Sequence, residues 1–145
     1  MTLKDILDLP TEADSLEPIR TYLGQTLKQT EYQAAYARYF EIASALGLHD
    51  LVLEEGGKIL PDVINQSQTP YLERIIGVMV TSALERGAHD RAKTLIDMRR
   101  DVLPVRRSYL ATLDMIRYNK ALNLPSEELY MQVLEDEIPD DIRIR

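Results

Sequence analysis

The chain holds two histidines, His49 and His89, and each precedes an aspartate, in "GLHD" at 47–50 and "GAHD" at 87–90. A histidine–aspartate pair repeated in one chain is raw material for a metal-dependent hydrolase, provided the imidazoles share a face around the ion. The spacing argues otherwise. Each histidine sits in an equivalent turn of a different helical hairpin, and neighbouring turns lie ~10 Å apart at helix-packing distances. A metal–nitrogen bond spans only ~2 Å. A third turn, "NLPS" at 123–126, places Pro125 where the histidines stand, so the turn does not require an imidazole. We therefore expect His49 and His89 to serve turn structure, with no catalytic residue, no metal and no cofactor.

Other chemistry-bearing groups lead to binding rather than catalysis. "RRDVLPVRR" at 99–107 sets Arg99, Arg100, Arg106 and Arg107 around one joint. Guanidinium forks grip carboxylates or phosphates bidentately, so the four arginines are a candidate patch for an acidic partner. The competing expectation is internal or cross-subunit pairing, with Asp97, Asp101 and the acidic stretch 135–141. Tyr32, Tyr36, Tyr39 and Phe40 fall on one helical stripe. We expect Tyr36, Tyr39 and Phe40 in the core and Tyr32 nearest to solvent. Adjacent carboxylates such as Glu54–Glu55 and Glu127–Glu128 diverge by ~100° around a helix, a poor start for an acid–base pair. No serine or threonine sits in a nucleophile-elbow context.

Composition narrows the classes further. The chain has no cysteine, which excludes disulfides and thiolate chemistry. A net charge of −7 disfavours nucleic acid and anionic membrane surfaces. The charge is uneven: residues 71–122 carry 10 basic and 6 acidic side chains, a basic island in an acidic chain. No run approaches the ~20 apolar residues of a membrane helix, and the start, "MTLKDILDLP", lacks signal-peptide regions. A cytoplasmic protein is the expectation.

Positioning falls to helices, because period-two alternation is nearly absent. Thr2 with Asp5 can cap a short helix ending before Pro10, and Ser15 can cap a second with Pro18 in its first turn. Thr30 with Gln33 reads as a capping box opening a helix through about Leu46. Thr69–Pro70 opens another through about Arg86, and 106–122 gives a further one, with "PDVINQSQT" at 61–69 as a loop. Gly47, Gly87 and Asn123 then recur at intervals of 40 and 36 residues, each followed three residues later by Asp50, Asp90 or Ser126. Glycine and asparagine readily end helices in the left-handed conformation, and aspartate and serine are preferred N-caps. The second helices are expected to stop near Pro61, Pro104 and Pro139. Three hairpins in series mark a helical solenoid.

Over roughly residues 33–139 the chain resembles the tetratricopeptide repeat family. The residues that carry the likeness lie in 73–104: Ile76, Met79 and Ala83 at the first-helix anchors, Gly87 at the turn, Ala92 at the helix crossing, Ile96 in the next core position and Pro104 at the close. Val80, Val52, Thr112, Asn119 and Glu128 depart from the family pattern, and Pro61 comes three residues early. The resemblance implies a concave binding face made by the first helices, offering Ala34, Ala37, Glu41, Arg74, Gly77, Thr81, Leu113, Arg117 and Lys120. Arg74, Arg117 and Lys120 would make that face basic, suited to an acidic peptide. The family's chaperone-tail clamp, built on paired lysines and asparagines, is not matched.

The expectation is thus an all-α, right-handed helical-hairpin solenoid of about seven helices in a single domain, 1–145. Residues 1–30 form N-terminal capping helices, 31–61, 70–104 and 106–138 the hairpins, and 139–145 a tail. The expected role is a non-enzymatic adaptor binding a peptide or helix through Arg74, Thr81, Arg117 and Lys120. A homodimer is possible, and a ligand- or peptide-sensing regulatory domain lacking its effector is the alternative.

Overall fold

The computed structural model describes residues 1–25, 27–65 and 70–137, and every described element is helical. Eight α-helices are present among the described residues: α1 Leu3–Leu7, α2 Leu16–Leu23, α3 Gln29–Ala45, α4 His49–Asn65, α5 Pro70–Glu85, α6 His89–Val102, α7 Tyr109–Ala121 and α8 Glu127–Glu137. Single 3-10 turns at Ala13–Ser15 and Val105–Arg107 lead into α2 and towards α7. None of the described helices is long and apolar enough to cross a membrane.

The three turns share one hydrogen-bond pattern. Gly47, Gly87 and Asn123 adopt φ of 81°, 71° and 56°. Their successors donate N–H groups five residues back: Leu48 to Ala43 at 2.8 Å, Ala88 to Ala83 at 2.9 Å and Leu124 to Asn119 at 2.7 Å. The turn residues themselves donate three back, to Ser44, Leu84 and Lys120. This double closure is the Schellman motif, and it satisfies carbonyls that the helix end would otherwise orphan. Asp50 and Asp90 are not the N-caps expected of them. The carbonyls of Leu48 and Ala88 already accept the first bonds of α4 and α6, from Val52 and Ala92. The turn is so short that the residue after glycine ends one helix and starts the next, leaving both aspartates inside the first turn. There they still favour the positive helix end. In the third copy two more residues intervene, and Ser126 immediately precedes α8; its carbonyl accepts from the Tyr130 N–H, but its hydroxyl makes no capping bond.

Other expected boundaries shift for local reasons. The Thr2–Asp5 box forms, with Asp5 N–H on the Thr2 hydroxyl and Thr2 N–H on the Asp5 carboxylate. Ser15 has helical backbone angles after its 3-10 turn, so its hydroxyl donates to the Pro10 carbonyl at 2.6 Å instead of capping α2. α3 begins before Thr30, and Glu31 accepts from the Lys28 N–H in place of the Thr30–Gln33 box. Helix α4 does not stop at Pro61 but continues through it to Asn65. Proline removes one backbone bond there, yet Val63, Leu60 and Ile59 bury the same face on both sides of it. Burial of such side chains is worth ~1.5–3 kcal/mol each, enough to hold the last turn. Residues 61–65 are therefore helix rather than loop, while 66–69, Pro139 and the tail lie outside the described residues. Pro104 does follow the end of α6, with Leu103 extended as a residue before proline should be.

Packing follows chain order. α3 lies against α4 and α5, α5 against α4, α6 and α7, α6 against α7, and α7 against α8. α1 and α2 cover the free side of α3. Ile76, Met79, Ala83, Ala92 and Ile96, the residues that carry the family likeness, are all buried, as is Val80. Tyr39 and Phe40 are buried as expected, whereas Tyr36 and Tyr32 are both half-buried. Arg20 of α2 binds the Tyr39 hydroxyl at 2.6 Å, and Arg38 reaches the Leu9 carbonyl, tying the N-terminal helices to the stack.

Candidate binding cleft and the charge network beneath it

Polar contacts join the helices across 33 to 38 residues of sequence. Arg74 pairs with Glu41, 33 residues away. Arg86 reaches Asp50 across 36 residues, and Arg117 reaches Thr81 across the same interval at 2.6 Å. His49 Nδ1 lies 2.9 Å from the Ser82 hydroxyl, which donates to Ser44 at 3.2 Å. The imidazole of His49 therefore does more than occupy the turn: it ties the start of α4 to α5. Among the described residues no three His, Asp or Glu side chains gather to hold a metal ion.

Helix α5 lines a cleft between α3 and α7. Arg74, Val78, Thr81 and Glu85 recur at helical spacing and share one face. A hollow of ≈ 270 Å³ is lined by Glu41, Arg74, Gly77, Val78, Thr81, Arg99 and Arg117. A second, of ≈ 390 Å³, is lined by Glu41, Ser44, Ala45, His49, Val78, Thr81 and Glu85. The two hollows share Glu41, Val78 and Thr81 in their lining, so they adjoin along α5. The structure thus brings Arg74, Thr81 and Arg117 together. Lys120 stands apart, exposed, with its ammonium 5.5 Å from the Tyr130 ring centre. Leu113 is half-buried, and Ala34 and Ala37 are fully buried, so the two alanines offer nothing to a partner.

Beneath the cleft runs a charge network that sequence reasoning missed. Glu73 and Asp114 are 3% and 2% accessible in their side chains, and Arg99 between them is 13% accessible. Arg99 donates to Glu73 at 3.1 Å and to both Asp114 oxygens at 2.9 Å. Arg107 makes a close bond to the other Glu73 oxygen, and Arg117 approaches Asp114 at 3.5 Å. The guanidinium of Arg99 reaches α7 by crossing α5 at Gly77. A Cβ built there would lie 2.7 Å from Arg99 Cζ, so any side chain at 77 must displace the guanidinium from its partners. Burial pushes the Asp114 carboxyl above its ordinary range, against the opposing pull of Arg99 and Arg117.

The four arginines of 99–107 consequently do not form one surface patch. Arg99 is largely buried between Glu73 and Asp114, Arg107 is held by Glu73, and Arg100 lies 3.6 Å from Asp97. Internal neutralisation occurs, but mainly through Glu73 and Asp114 rather than the expected acids. The stretch 135–141 lies outside the described side chains. The available signals were two carboxylates interrupting apolar helices, beside Leu72 and Leu113, and a glycine in mid-helix at 77. Compared with family models, curated proteins and solved structures, the chain matches none.

Proposed function

We propose that this chain is a non-enzymatic interaction module, a right-handed tetratricopeptide-like stack that binds a peptide or helix of an acidic protein along its first-helix face. The observation that carries the reading is the shared cleft: Glu41 of α3, Arg74 and Thr81 of α5 and Arg117 of α7 line one hollow. Three Schellman turns and polar contacts spaced by about one repeat support the stacked-hairpin reading. In this reading Arg74 and Arg117 meet the partner's carboxylates, with Thr81 fixing the Arg117 fork. Lys120, on α7, and the exposed Arg100 and Arg106 add outlying positive charge. Exposed Leu124, Tyr130 and Met131 at the α8 end leave room for a homodimer.

Affinity capture with the wild-type chain and the Arg74→Ala/Arg117→Ala variant tests this. A partner held at low salt, released at high salt and lost from the variant is the expected result. Equal recovery by both baits would refute the cleft as the binding face.

A further inference from the structure

The cleft has opposite charge at neighbouring points, Arg117 of α7 beside Thr81 and Glu85 at the end of α5. Among the described residues, Arg99, Arg107 and Arg117 pair with two carboxylates, Glu73 and Asp114, so one positive charge is in excess there. Arg117 is the loosest member, 3.5 Å from Asp114, and it opens into the cleft beside Thr81. One turn further along, Glu85 is exposed, forms no ion pair among the described residues, and lines the adjoining hollow. It is also the last residue of α5, where the helix end adds partial negative charge. Arg86, next in sequence, is committed to Asp50.

The spacing is informative. Thr81 and Glu85 are four residues apart, ~6 Å along a helix axis. In an extended peptide, side chains two positions apart share a face and lie about 6.6 Å from each other. We infer that the cleft recognises an extended peptide bearing an acidic and a basic side chain two positions apart, the carboxylate on Arg117 and the cation on Glu85. This rests on the cleft reading above and sharpens it: the partner segment is zwitterionic, and a uniformly acidic one fits less well. A run of acids would place a second carboxylate against Glu85.

The test uses the full chain, ¹⁵N-labelled, titrated with blocked synthetic peptides. The probe is acetyl-Gly-Val-Glu-Val-Lys-Val-Gly-amide, compared with versions in which Lys becomes Gln or Glu. We expect the Glu-Val-Lys peptide to bind about threefold more tightly than the Gln version, the scale of an exposed ion pair. Glu85→Gln should erase that difference, and Glu85→Lys should reverse the preference in favour of Glu-Val-Glu. Equal affinity for all three peptides, with shifts still confined to α3, α5 and α7, overturns the charge register and leaves the cleft reading standing. Shifts elsewhere, or none, overturn both. Glu85 is exposed and unpaired, so its variants keep the fold, and an unchanged amide spectrum verifies this.

Discussion

One nitrogen of Arg99, on α6, donates to both carboxylate oxygens of Asp114, on α7, at 2.9 Å each. That contact, with Glu73 on α5, ties three helices of two hairpins through a single guanidinium. Removing one partner of such a buried pair typically costs ~3–5 kcal/mol, because the remaining charges stay buried without compensation. Arg99→Leu should lower unfolding free energy by about that amount in urea titrations. A loss under about 1 kcal/mol would mean that the network is solvated rather than sealed.

Gly77 is a helix-interior glycine, and alanine there ordinarily gains about 1 kcal/mol of helix stability. Here the added Cβ would meet Arg99 at 2.7 Å, and Arg99 is held at both ends of its fork. Gly77→Ala should therefore destabilise the wild type. In an Arg99→Leu background the same change should become neutral or stabilising. A double-mutant cycle measures the coupling, and simple additivity would sever Gly77 from Arg99.

Gly47 and Gly87 hold φ of 81° and 71°, where a side chain costs ~1–2 kcal/mol. Alanine at either position should cost about that much. Asn123→Gly should be neutral or slightly stabilising, since its φ of 56° already suits glycine. Thermal or urea unfolding of the three variants checks the ordering. An inert Gly87→Ala would contradict the Schellman turn at that hairpin.

Burial raises the Asp114 pKa above the ordinary value of 3.8. The folded chain then binds a proton at pH values where the unfolded chain has released it. The resulting stability is fully present below 3.8 and is lost as pH rises through the folded pKa. Relative to Asp114→Asn, the wild type should lose stability as pH increases through that window. Denaturant unfolding of both proteins, stepped upward from about pH 3, reads the difference. A difference that grows in favour of wild type with rising pH would show that Arg99 and Arg117 outweigh desolvation.

Part of this protein was legible without coordinates. Helical character, the three turns and their left-handed residues, the stop after α6 and the burial of Ile76, Met79, Ala83, Ala92 and Ile96 all follow from local preferences. Gly, Asn and Pro act within a few residues of themselves, and apolar spacing registers one helix at a time. Even here the reach is limited. Asp50 and Asp90 looked like caps because the turn length was unknown, and Pro61 looked like a stop because the burial of Val63 was unknown.

The site depended on tertiary structure. Arg74, Thr81 and Arg117 could be placed on helices, but not their pairings, because Glu41 and Thr81 lie 33 and 36 residues away from Arg74 and Arg117. Arg99 shows the limit best. In sequence it belongs to a run of four arginines, and like charges in a row read as surface. Only the stacking of α5, α6 and α7 brings two carboxylates and a bare glycine backbone around it, and desolvation there turns an apparent surface cation into an internal tie. By itself the sequence determined the helices and the turns that fold them back. The fold decided which charges are buried and paired, because electrostatic strength depends on surroundings that no single helix contains.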